Sequence, residues 1–109
     1  MKATLGIMLG IVIGYADLAS AEVPKFDLTI KDHRFEPARV VIPRDTKVKL
    51  LVKNLDSSAE EFESYELNRE KIIPGQSEAA VFVGPLAAGT YPFFGEFNPS
   101  TAQGVLVVE

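Results

Sequence analysis

Gly89-Thr90-Tyr91-Pro92-Phe93-Phe94-Gly95-Glu96-Phe97-Asn98-Pro99, separated by four residues from Gly104-Val105-Leu106-Val107-Val108, closes a chain of 109 residues. The first stretch is an aromatic strand that ends at a glycine and runs into an Asn-Pro loop. The second is a short apolar run, the form of a strand buried in a sheet. Reading backward from this pair, Ala79 to Val83 is a further buried strand between the turn Pro74-Gly75 and Gly84-Pro85. Lys47 to Lys53 alternates, with Val48, Leu50 and Val52 on one face and lysines on the other. Val40-Val41-Ile42 is stopped by Pro43, and Phe26 to Lys31 alternates with period two. Glu60 to Glu70 holds five glutamates in eleven residues, a helix-forming composition, but strands on both sides argue for a strand followed by an irregular loop. The pattern predicts an all-β fold: an antiparallel Greek-key sandwich of seven to eight strands.

Composition narrows the chemistry. Residues 1–21 read as a signal peptide: Lys2 supplies the positive start, Leu5 to Ile13 the apolar stretch, and Ala19-Ser20-Ala21 the cleavage site, with the cut after Ala21. The apolar stretch is shorter than the ~20 residues that cross a bilayer. The expected location is therefore the periplasm, as one domain over residues 22–109 that meets the membrane only through a partner. With Asp17 and Lys2 removed, that domain carries 14 acidic against 10 basic side chains, which argues against nucleic acid. Cysteine is absent, and both methionines, Met1 and Met8, lie in the leader. Disulfides, thiolate metal sites, iron–sulfur clusters and thiol catalysis are excluded.

Phe35-x-Pro37, the loop at Asn54, and the closing pair of strands together resemble the cupredoxin superfamily across nearly the whole domain. In that family an aromatic Y-x-F-x-C-x-x-H strand end, a Met-bearing loop and an earlier His bring Cys, His and Met to copper. Here Gly95 stands in the Cys position and Asn98 in the His position, no Met occurs in Ser100 to Gln103, and Glu61 or Glu63 falls near the first His position. Type 1 copper needs a thiolate, so blue-copper electron transfer is ruled out. A narrower resemblance rests on Glu61-Phe62-Glu63, Arg69-Glu70-Lys71-Ile72-Ile73-Pro74-Gly75 and Phe94 to Pro99. These elements are similar to EfeO-type cupredoxin-like domains and to the periplasmic cupredoxin component that accompanies FTR-type permeases in ferrous-iron uptake. The resemblance implies an accessory protein that binds ferrous or ferric iron, with a role in its oxidation, and an iron permease or another uptake component as partner.

The residues support such chemistry without the resemblance. Carboxylate oxygens suit iron where sulfur does not. Glu61 and Glu63 fall on one strand face while Phe62 points to the core, and paired like charges favour a cation between them. Glu96 is the third candidate ligand. His33, the one histidine, is a nitrogen ligand or a solvated turn residue. Tyr65 extends the acidic face, Glu66 and Glu70 are weaker candidates, and Arg69 and Lys71 are placed to orient the carboxylates or to pair with Glu70. Two other readings fit the same residues: a metal-free domain that docks through its acidic end, and a copper(II) carrier using His33 and carboxylates.

Overall fold

The computed structural model describes residues 22–109, and the expected leader lies outside them. Nine strands form: β1 (Lys25–Lys31), β2 (Arg34–Glu36), β3 (Arg39–Ile42), β4 (Val48–Asn54), β5 (Glu60–Ser64), β6 (Arg69–Ile73), β7 (Ser77–Val83), β8 (Gly89–Gly95) and β9 (Gln103–Val108). They build two sheets, in the orders β2-β1-β4-β7 and β3-β9-β8-β5-β6. The described residues contain no helix, so the glutamate-rich segment resolves as a hairpin, β5–β6, against its propensity. Tertiary pairing overrides the helix preference because Phe62 and Ile73 are fully buried.

The sandwich is less uniformly antiparallel than the sequence pattern predicts. β1 pairs β4 in parallel from Lys25↔Lys49 to Ile30↔Asn54, and β3 pairs β9 in parallel from Arg39↔Val105 to Ile42↔Val108. The cause is the crossing of β3 into the second sheet. The chain leaves the first sheet after β2 and returns only with β4, which then runs in the same direction as β1.

Strand alternation places the core between the sheets. β4 shows it most regularly, with Val48, Leu50, Val52 and Asn54 buried and the residues between them half-buried. At one end of the core Phe35, Phe62 and Phe93 meet across the two sheets, with centroids 5.0–6.1 Å apart. Each such pair adds about 0.5–1.5 kcal/mol beyond its burial. Gly104 is required beside this cluster, since a Cβ there would run into the Phe93 ring. The aromatic cluster thus fixes β5 and β8 side by side and aims their ends at the same point.

Candidate metal centre

β5 carries carboxylates on both of its faces, and the two faces differ. Parity sets them: Glu60, Phe62 and Ser64 point inward and are buried, while Glu61 and Glu63 point outward and are half-buried. On the outer face the β5–β6 register puts Glu63 directly opposite Glu70. One carboxylate oxygen from each of Glu61, Glu63 and Glu70 lies within 4.8 Å of the others. Two oxygens bound to one small hard cation at about 2.1 Å lie at most about 4.2 Å apart, so small side-chain rotations suffice to close the trio on an ion.

The trio is charge-frustrated. Like charges opposite one another across antiparallel strands repel. Partial desolvation, then the charges of Glu70, Glu96 and Glu60, raises the Glu61 pKa; partial desolvation, then Glu70, Glu61 and Glu96, raises that of Glu63. No basic side chain relieves them: among the described residues the ion pairs are Lys25–Asp27 and His33–Asp56. This corrects the expectation for Arg69 and Lys71. Arg69 spends its guanidinium on the carbonyls of Phe82, Leu67 and Asn68. Lys71 neighbours Glu70 along β6 and so alternates to the other face.

The remaining candidates surround this face at different distances. Glu96 follows the end of β8, its N–H donating to the Glu61 carbonyl at 2.9 Å, and adds a fourth charge without joining the trio. Tyr65 is 72 % exposed and packs edge-on against Phe94, the β8 residue beside Glu63. Glu66 lies in the β5–β6 turn. A shallow depression lined by Glu63, Tyr65, Asn68, Arg69 and Glu70 adjoins the trio. A larger one beside Lys53, Leu55, Gln76 and Glu78 gathers no comparable set of oxygens.

His33 has a backbone task. With Asp32 it forms the two-residue turn between β1 and β2, both residues at positive φ (53° and 59°), as a tight hairpin of this type requires. The Asp56 carboxylate accepts both N–H groups at 2.8 and 3.0 Å, and the His33 ring Nδ1 lies 3.6 Å away. The His33 backbone bond leads in holding the Asp56 carboxyl below its ordinary value. Asp56 is itself positioned by Asn54, whose amide donates to the carbonyls of Ser58, Ile73 and Pro74 and accepts from the Asp56 N–H. Thr101 ties the turn to the last loop by donating to the His33 carbonyl at 2.6 Å. The structure leaves His33 outside the acidic trio.

The inward face of β5 holds the residue that the sequence reading passed over. Glu60 is 2 % exposed, and its Oε1 accepts the N–H groups of Glu61 at 2.9 Å and Phe97 at 2.8 Å. Its Oε2 accepts the Asn98 side-chain amide at 2.8 Å. A Cβ on Gly95 would meet the Ala102 Cβ and the Glu60 Cδ, both at 2.6 Å. The side chain that converges on the Cys and His positions, Gly95 and Asn98, is therefore Glu60, not Glu61 or Glu63. The signal was available in sequence: Glu60 shares the parity of Phe62, so an inward Phe62 makes Glu60 inward.

The comparisons agree with this architecture. The chain belongs to the cupredoxin-like domain family, whose model matches residues 4–108. It is 40 % identical over 92 residues to an uncharacterized protein, RP394, of Rickettsia prowazekii (strain Madrid E), covering 84 % of this chain and 74 % of that one. Among solved structures it is similar to auracyanin A, a blue copper protein of Chloroflexus aurantiacus (TM-score 0.70, 14 % identity, 81 % and 100 % of the two chains covered). It is also similar to the metal-binding domain of the Cu(I)-exporting P-type ATPase CopA of Streptococcus pneumoniae D39, solved with Cu(I) (TM-score 0.71, 16 % identity, 83 % and 91 % covered). Amicyanin of Paracoccus versutus matches at TM-score 0.63 and 15 % identity, with 84 % and 87 % covered. The fold family implies copper, and the residues here do not fit a type 1 site. With no cysteine in the chain there is no thiolate, Gly95 has no room for one, and Asn98 and Glu60 are bonded to each other.

Proposed function

We propose that this protein is an exported, periplasmic metal-binding accessory of iron uptake, which holds ferrous or ferric iron on the outer face of β5–β6. The observation that carries the reading is the unneutralised trio Glu61, Glu63 and Glu70, with oxygens within 4.8 Å of one another. With Glu96 nearby, the negative charge favours a trivalent over a divalent ion. A site that binds Fe(III) more tightly than Fe(II) also favours loss of an electron from bound Fe(II) to an acceptor outside this chain. The resemblance of the Glu61-Phe62-Glu63 and Arg69 to Gly75 elements to EfeO-type domains supports iron and a permease partner. A second reading, a copper(II) carrier, is favoured by the copper-holding structural relatives.

Calorimetric titration of the purified protein with Fe(II), Fe(III) and Cu(II) tests both readings. Binding in the micromolar range or tighter, strongest for Fe(III) and lost in the double variant Glu61→Gln with Glu63→Gln, is expected. Tighter Cu(II) binding would select the second reading, and no ion binding below millimolar would leave only a metal-free docking domain.

A further inference from the structure

We propose that the Glu60 carboxylate has replaced the metal at the cupredoxin copper position, as an internal anion that ties the Gly95–Ala102 loop to β5. In the cupredoxin pattern a copper ion gathers lone pairs from Cys, His and Met side chains. Here the polarity of that point is reversed. The N–H groups of Phe97 and Glu61 and the Asn98 amide all direct hydrogens at it, and a buried carboxylate fills it. A cation entering there would face N–H dipoles and would find both carboxylate oxygens already engaged. Every buried side-chain nitrogen and oxygen among the described residues has a hydrogen-bond partner, so a metal entering there would compete with bonds already made.

The loop is closed around this anion by three further contacts. Gly95 donates to the Ala102 carbonyl at 2.8 Å, Ala102 donates to that of Asn98 at 2.9 Å, and Glu96 donates to that of Glu61 at 2.9 Å. Gly95 and Ala102 are the small residues that let Glu60 reach across: Ala102 is fully buried, and any side chain at position 95 would strike both. The substitutions thus form one set. Removing the Cys side chain makes room for a Glu, the Asn bonds that Glu, and the loop keeps its anchor without metal. The carboxylate lock stands on these contacts alone and is independent of the outer acidic face.

Amide hydrogen exchange and NMR on metal-stripped protein test the lock. The Phe97 and Glu61 amides are expected to be protected without metal, and saturating Zn(II) or Cu(I), both diamagnetic, to leave the cross-peaks of Gly95, Phe97 and the Asn98 side-chain amide unmoved. In Glu60→Ala the Phe97 amide should lose about tenfold or more of its protection, while Leu50 and Val52 in β4 keep theirs. The inference is overturned if the loop amides exchange freely in the metal-stripped wild type and become protected only when Zn(II) or Cu(I) is added. It is equally overturned if a folded Glu60→Ala retains wild-type protection at Phe97. If Glu60→Ala does not fold, the wild-type measurements decide. Zn(II) shifts confined to Glu63 and Glu70 support the lock and separate it from the outer site, and cross-peaks unmoved throughout support the lock while the iron reading is decided by the calorimetric titration.

Discussion

The two faces of β5 hold the same functional group in opposite states. Inward, the Glu60 carboxylate is buried and receives three N–H donors. Outward, Glu61, Glu63 and Glu70 crowd together, and among the described residues none of them forms an ion pair with a basic side chain. One carboxylate is satisfied by its neighbours, and three are left without a counter-charge among the described residues. A satisfied buried charge gives the fold stability and definition, whereas a frustrated cluster costs stability until a ligand arrives. The comparison separates the groups that hold this fold together from those available for binding.

Glu60→Ala leaves three part-buried donors without their acceptor and is expected to cost about 3 kcal/mol by chemical denaturation. Gly95→Ala is next. Its Cβ would sit 2.6 Å from both the Ala102 Cβ and the Glu60 Cδ. Overpacking of this kind costs about 1–3 kcal/mol, and the loss should appear as a lower denaturation midpoint at unchanged slope. By contrast, Glu63→Gln and Glu70→Gln should raise the melting temperature of the metal-free protein, each relieving one cross-strand repulsion, while reducing the rise in melting temperature that Fe(III) produces.

The smallest expected effect is the pH dependence of the outer face. Glu61 and Glu63 hold their protons more tightly in the fold than in the unfolded chain, whose ordinary value is 4.5. Their contribution to stability is fully present below that value and lost as pH rises through the raised folded values. Metal-free wild type should therefore gain stability relative to the Glu61→Gln, Glu63→Gln double variant as pH falls from neutral toward 4.5. Asp56 works in the other direction, its contribution present above 3.8 and lost as pH falls through its depressed folded value. Paired melts of the two proteins between pH 7 and 4 isolate the first effect.

Much of this is legible in the sequence. Alternation in β4, the glycine-bounded aromatic strand and the apolar last strand identify a β-sandwich, because each records burial on one face. The outward pairing of Glu61 and Glu63 follows from the same rule. Glu70 does not, because its place opposite Glu63 depends on the hairpin register, set by a four-residue turn that composition reads as an irregular loop. The parallel pairings were also hidden, since alternation is blind to strand direction. Glu60 shows a different failure: its parity was readable, but a carboxylate on an inward position is set aside unless its partners are known. Those partners, Phe97 and Asn98, lie 37 and 38 residues away.

Anomalous diffraction at the iron edge, from crystals of the protein grown with Fe(III), tests the division between the two faces most directly. A peak is expected among the carboxylates of Glu61, Glu63 and Glu70, with Glu60 still bonded to Phe97 and Asn98. A peak at Gly95 and Asn98, with the Glu60 side chain displaced or bound to the metal, would contradict it.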